Sequence, residues 1–209
     1  MKAWLLIITT LFFISCNSPS LKKKKDNFDI GTLQGNIYSN NYFEFGLVID
    51  TPWHIINESE LTHLIEKRTE MLNEANEENF SIKKGHDVLL SMNIDTIENM
   101  PQVLFGSVDL KIYPQVKNEK VYLLGYFKQV KKLYENYDLQ ITSSEIGQES
   151  IGKKRFYTLL VTIKSANFLA YQKNYSLKIK DRLLNLMINY NSAIYLKECL
   201  KLLNKIKWE

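Results

Sequence analysis

The stretch "FLAYQKNYSLKIKDRLLNLMINY", Phe168 to Tyr190, decides the fold class. Two runs rich in aromatic and aliphatic residues, Phe168 to Ile179 and Leu183 to Tyr190, meet at Lys180-Asp181-Arg182, a tight-turn candidate. Such a pair reads as a β-hairpin, and a hairpin makes its two strands antiparallel neighbours. Upstream, "DLQITSSEI" (Asp138 to Ile146) and "KRFYTLLVTI" (Lys154 to Ile163) have the same strand character. Four strand patterns in a row argue for an antiparallel sheet, not a βαβ alternation.

The rest of the chain fits around that block. In "YFEFGLVID", Phe43, Phe45, Leu47 and Ile49 alternate onto one face of a strand that ends at Thr51-Pro52. Asn57 to Asn76 reads as a helix. Asn57 and Glu60 form a capping box, and Leu61, Leu64, Ile65, Arg68, Leu72 and Ala75 recur at helical spacing. Two more strands follow. In "HDVLLSMNID" Val88, Leu90, Met92 and Ile94 are expected inward, and in "VLFGSVDLKIY" Leu104, Val108, Leu110 and Ile112. A second helix runs from Glu119 to Tyr137, with Leu123, Phe127, Val130, Tyr134 and Tyr137 on one stripe. The chain closes on an amphipathic helix, Ser192 to Lys207, carrying Tyr195, Leu196, Cys199, Leu200, Leu203 and Ile206. The expected class is α+β: an antiparallel sheet of about six to seven strands sandwiched by helices. The 12 Tyr and 10 Phe suit half-buried strands.

The N-terminus carries a different signal. After Met1 and Lys2, Ala3 to Ile14 is an apolar run broken only by Thr9 and Thr10. A membrane-spanning helix needs roughly 20 apolar residues, so this shorter run fits a secretory leader. It stops at Phe13-Ile14-Ser15-Cys16, which resembles a bacterial lipobox. That resemblance implies cleavage before Cys16 and acylation of its sulfur and amine with palmitate-type chains. Phe13 stands where Leu is usual. Two other readings exist: a chance cysteine in an ordinary signal peptide, and a disulfide from Cys16 to Cys199, the only other cysteine. The expected organisation is a signal peptide over 1–15, a lipidated cysteine with a basic tether over 16–34, and a folded domain over 35–209. Lys22 to Lys25 either solvate that tether or touch anionic headgroups.

The formal charge is +4, or 26 basic against 23 acidic residues once Lys2 leaves with the leader. That is too mild for nucleic acid, which favours a concentrated basic face.

The folded region is similar to bacterial PsbP-like lipoproteins. "GNIYSNNYFEFGLVIDTPW" (Gly35 to Trp53) resembles their opening, Y-x-N-x-Y-F-G-F followed by a strand and a Pro…Trp turn, through Tyr38, Asn40, Tyr42, Phe43, Phe45 and Trp53. "YFKQVKKLYENY" resembles the middle helix of that family. "KKRFYTLLVTI", the hairpin above and "LKLLNKIKW" resemble its close, ending in a short strand. Glu44 stands where the pattern has glycine, Pro52 abuts Trp53, and Asp181-Arg182 replaces a common Asp-Gly turn. The resemblance implies a sandwich of the kind shared by PsbP and Ran-binding transport factors, in a superfamily whose members bind or help assemble proteins. It implies no active site. It also implies that Trp53 is mostly buried over the end of the core.

No catalytic or metal motif stands out. His54, His63 and His86 are not at metal-ligand spacing, and there is no G-x-S-x-G elbow or P-loop. "DNFDIG" (Asp26 to Gly31) is a faint calcium-loop pattern without the closing glutamate. Glu58 and Glu60 suit a helix start. Asn57-Glu58-Ser59 and Asn174-Tyr175-Ser176 match glycosylation sequons, which are coincidental in a bacterial lipoprotein. Tyr113, Tyr122, Tyr126, Tyr134 and Tyr137 either form an aromatic binding surface or cap the edges of the core. The expected protein is thus a monomeric, non-enzymatic, cofactor-free envelope lipoprotein. It is held to the membrane through Cys16, facing periplasm or exterior, and has a protein partner. An envelope enzyme and an immunity or inhibitor lipoprotein are the alternatives.

Overall fold

The computed structural model describes residues 28–57, 59–62, 85–95, 100–134 and 137–209. Short strands come first: β1 (Thr32–Gln34), β2 (Ile37–Asn40), β3 (Phe45–Val48) and β4 (His54–Ile55). Long strands β5 (His86–Asp95) and β6 (Met100–Asp109) precede helix α1 (Glu119–Leu133). Then follow β7 (Gln140–Ser143), β8 (Gly147–Ile151), β9 (Lys154–Ser165), β10 (Phe168–Ile179), β11 (Arg182–Tyr190), helix α2 (Ala193–Leu203) and β12 (Lys207–Trp208).

The hairpin read from sequence is the centre of the main sheet. Ile179 pairs with Arg182 across a two-residue turn, Lys180-Asp181, and Lys180 takes the left-handed conformation that such a turn demands (φ 55°). The main sheet has the order β4-β5-β6-β11-β10-β9-β7, with β8 pairing to the other end of β9. A smaller sheet has the order β1-β2-β3-β12. Every pairing is antiparallel.

Two layers cover the main sheet. On one face, Val103, Phe105, Leu184, Leu186 and Ile188 meet Phe43, Phe45 and Leu47 from the small-sheet side and Cys199, Leu202 and Leu203 of α2. On the other, Leu123, Val130 and Leu133 of α1 pack on Leu159, Val161 and Ile163 of β9. Strand β11, between two paired neighbours and two covered faces, is buried at every position. The helices stop where their caps dictate. Asn118 Oδ1 accepts the Val121 N–H to start α1, and Ser192 Oγ accepts the Tyr195 N–H to start α2. The capping box is present too: the Asn57 and Glu60 side chains each accept the other's backbone N–H, at 2.9 and 3.1 Å. A helix begins at residues 59–62; the remainder expected up to Asn76 lies outside the described residues, as do His63, Cys16 and the leader.

Several expectations change. In β5 the register shifts between Val88 and Leu90. This bulge puts Leu90 and Met92 in the main core, while Val88 joins Leu104 and Met187 on the opposite face. The second helix ends at Leu133 and the last at Leu203, short of Tyr137 and Lys207. Residues 28–34, expected within the tether, belong to the domain. Thr32–Gln34 pair with β2, and Phe28 packs against Tyr42, Phe43 and the Arg182 guanidinium. Asp29 accepts the N–H groups of Gly31 and Asn41 at 2.8 Å each, so its carboxylate serves a turn and not a calcium loop. Trp53 is half-buried at the margin of the core. The tryptophan that closes the core is Trp208, which is 7% exposed and donates from Nε1 to the Ile151 carbonyl at 2.8 Å.

Candidate functional site: a polar layer under helix α1

Period-two alternation on a doubly covered sheet should make both faces apolar. The face toward the small sheet and α2 obeys except at the hairpin tip. The face toward α1 does not. There β5 contributes Ser91 and Asn93, β6 Gln102, β11 Asn185 and Asn189, and β10 Gln172, Asn174 and Ser176, all buried. Cross-strand register lines them up: Asn93 faces Gln102, Gln102 faces Asn189, and Asn189 faces Gln172.

That row is wired in one direction. The Tyr126 hydroxyl, from the inner side of α1, donates to Gln172 Oε1. Gln172 Nε2 donates to Asn189 Oδ1 at 2.8 Å, Asn189 Nδ2 to Gln102 Oε1 at 3.0 Å, and Gln102 Nε2 to Ser91 Oγ at 3.5 Å. Buried polar groups cost little once each is paired. Burial raises the Tyr126 hydroxyl pKa well above its ordinary value, with Tyr122 and Tyr134 adding to the rise, so it stays a proton donor.

Two steps along the strands the pattern breaks. Ser176 and Asn185 are cross-strand partners, and Asn185 also lies opposite Gly106. Ser176 is 0% and Asn185 2% exposed, yet Ser176 Oγ and both Asn185 Nδ2 and Oδ1 have no hydrogen-bond partner. Gly106 leaves the floor beside Asn185 without a side chain. One row nearer the hairpin end, His86 pairs with Val108, and its ring meets Tyr113 edge-to-face with centroids 5.0 Å apart. His86, Tyr113 and Tyr122 are half-buried, which puts the outer rim of the layer there. Burial, with Tyr113 nearby, also raises the Tyr122 hydroxyl.

The tyrosines read from sequence are therefore interior residues more than a surface. Tyr126 and Tyr134 are buried, Tyr122 and Tyr137 pack on the α1 cluster, and Tyr134 meets Tyr137 edge-to-face at 5.8 Å. His54 is exposed. Among the described residues no group of three or more His, Cys, Asp or Glu could hold a metal ion. Cys199 is a free, buried thiol whose pKa burial pushes up to about 12. The buried amides escaped sequence reasoning because alternate Asn, Gln and Ser in a strand normally mark its solvent side.

A second polar cluster sits at the hairpin tip on the small-sheet face. Arg182, with its side chain 8% exposed, donates to Asp87 at 2.6 Å and Ser107 at 2.8 Å, and lies 3.5 Å from Asp109. Its guanidinium carbon is 3.4 Å from the Phe28 ring centroid. Asp181 beside it takes Lys111 and the Tyr42 hydroxyl. Every member is paired, so this cluster fastens the fold.

With sheet order, register and covering helices in view, comparison with known structures becomes decisive. The solution structure of cyanobacterial PsbP (CyanoP) from Synechocystis aligns over 86% of this chain and 98% of its own, with a TM-score of 0.53 and 11% identity. The chain has the PsbP fold. At this identity the likeness concerns architecture alone. No protein-family model matches the sequence, and no curated protein does. Glu44, where the resembled sequence pattern carries glycine, adopts φ 58°.

Proposed function

We propose that this chain is a lipid-anchored lipoprotein of the bacterial cell envelope, acylated on Cys16, whose PsbP-fold domain is a non-enzymatic binding or accessory module. The observation that carries the anchor is the apolar run ending at Ser15-Cys16, followed by Lys22 to Lys25. A single acyl chain holds a protein to a bilayer only marginally, whereas several chains hold it durably. Cys199 lies buried in the core as a free thiol. Binding is favoured over catalysis because the buried polar groups on the α1-facing side are amides and hydroxyls, several bonded to one another, and not a paired acid and base. On the outer side of α1, Val121 and Leu124 are exposed beside Gly125, where an added Cβ would meet nothing within 4 Å. They offer an apolar contact for an envelope protein.

Metabolic labelling with a palmitate analogue tests the anchor. The wild type should carry the label and the Cys16→Ala variant should not; equal labelling of both would refute acylation at this residue. Cross-linking in the native envelope tests the module. A partner captured by wild type and lost when Leu124 becomes Glu supports it, and capture unaffected by that change removes α1 as the contact.

A further inference from the structure

We propose that the outer face of α1 is a docking site, centred on Gly125, for an acidic amphipathic helix of a partner protein. This rests on the reading of α1 as the contact surface and names the chemistry of what it meets. It starts from a residue that the fold does not explain. After proline, glycine is the least favourable residue in a helix interior, yet Gly125 lies in the middle of Glu119–Leu133. No neighbour requires it, because a Cβ added there would meet nothing within 4 Å. What a bare position on an open helix face does is let another backbone come close. Two helices pack about 8–10 Å apart, the distance being set by the side chains at their contact.

The surroundings of Gly125 select the partner. Val121 and Leu124 are 42% and 50% exposed, and Lys128 and Lys131 continue their stripe at helical spacing. Half of the stripe is apolar and half is basic. Among the described residues no ion pair reaches Lys120, Lys128 or Lys131. The ammonium groups of Lys120 and Lys131 lie over the Tyr157 and Phe127 rings, at 5.3 and 5.9 Å. Glu119 is the only acid in the helix, and its Oε1 already accepts the Lys178 backbone N–H at 2.8 Å. Elsewhere Lys173, Lys180, Lys201 and Lys205 each meet a carboxylate of this chain. The carboxylates that complete the α1 face come from outside. A helix with leucine-type side chains against Val121 and Leu124 and glutamates against Lys128 and Lys131 supplies both halves of the stripe. A second copy of this face would bring the same lysines and be repelled. A lipid surface is deformable and has no use for a bare glycine.

The probe is a blocked peptide of about 20 residues, long enough to be helical, built on the repeat Glu-Leu-Ala-Glu-Glu-Leu-Ala. It is titrated by calorimetry into the full chain reconstituted in phosphatidylcholine vesicles. The peptide should bind with a dissociation constant on the order of 100 μM, and a version with lysine for every glutamate should bind about tenfold more weakly or not at all. Gly125→Gln should weaken binding about tenfold while the melting temperature stays the same or rises, since glutamine is the better helix former and finds open space. Lys128→Gln with Lys131→Gln should weaken it about fivefold with the fold retained. Hydrogen exchange over Glu119–Leu133 then reports what covers the face. Slower exchange on adding the acidic peptide supports the proposal. If only phosphatidylglycerol in the vesicles, or only a higher protein concentration, slows exchange there, the face belongs to lipid or to a second copy and the proposal is overturned. Peptide binding that survives Gly125→Gln also overturns it. A native cross-link that depends on Leu124, with no binding of the acidic peptide, would keep α1 as the contact and overturn this partner chemistry.

Discussion

Glu44 is the residue at which this chain departs most tellingly from the pattern it resembles. A side chain in the left-handed region costs about 1–2 kcal/mol relative to its ordinary conformation, and Glu44 recovers part of this only through an exposed ion pair with Lys180 at 3.3 Å. Glu44→Gly should therefore raise stability by about 0.5–1 kcal/mol, read as a melting temperature higher by about 2–4 °C per kcal/mol. A lower melting temperature would mean that the ion pair outweighs the backbone. Asp181 makes a pH prediction. The hydrogen bond from Lys111, then that from Tyr42, holds its carboxyl down to about 2. A carboxylate lowered on folding contributes stability above its unfolded pKa of about 3.9, and loses it as pH falls through the folded value. The melting temperature should drop between about pH 4 and pH 2, and Asp181→Asn should flatten part of that drop. With the side chain partly in water the effect is modest. An unchanged acid profile in the variant would assign the loss to other carboxylates.

Among the elements, α1 is the one whose start is set by a single side chain. Asn118→Ala removes the acceptor for the Val121 N–H and should cost about 1 kcal/mol, measurable by urea unfolding; no change would mean that water replaces the cap. The short strand β12 carries a larger share. Trp208 packs 5.5 Å from Phe45 and 5.9 Å from Phe156, centroid to centroid, and binds the Ile151 carbonyl. Trp208→Ala should cost about 3–5 kcal/mol, whereas Trp53→Ala, at a half-buried site, should cost less. The reverse order would restore Trp53 as the closing tryptophan. These elements also show what the sequence made legible. Phe43, Phe45, Leu47 and Ile49 announce their face by alternation, and the Asn57–Glu60 capping box announces a helix start. The bulge at Val88/Leu90 was not legible, because one extra residue changes phase without changing composition. Strands of two or three residues such as β1 and β4, and the five-residue β8, are too short for a period to declare itself. The buried amide row was hidden for a related reason. Burial of the second face is a tertiary property, and only the register shows that Gln102, Asn189 and Gln172 stand side by side.

At the scale of the molecule, Cys199 reports on how the layers hold together. It sits in the core where α2 meets the main sheet, with its thiol pushed up to about 12 by burial. Since the thiolate is the reactive form, an aromatic disulfide reagent should label Cys199 no faster than the whole domain opens. The labelling rate should rise with denaturant in step with unfolding measured by tryptophan fluorescence. Fast labelling in native buffer would mean that α2 lifts off by itself.

The Phe28 contact has a mechanical consequence. Phe28 rests on Arg182, which begins the most enclosed strand of the main sheet and is bonded to its neighbours through Asp87 and Ser107. Asp29 and Ile30 are stitched to the β2–β3 region through Asn40, Asn41 and Tyr38. Tension arriving along the chain from the N-terminal side is thus delivered to the middle of the structure before it reaches the edge strand β1. Several bonds share it at once, so the domain resists being peeled open from its margin. A pull on the N-terminus in an optical trap should meet one abrupt, high-force rupture. Phe28→Ala should turn this into an earlier, lower step as the β1–β2 hairpin unzips first.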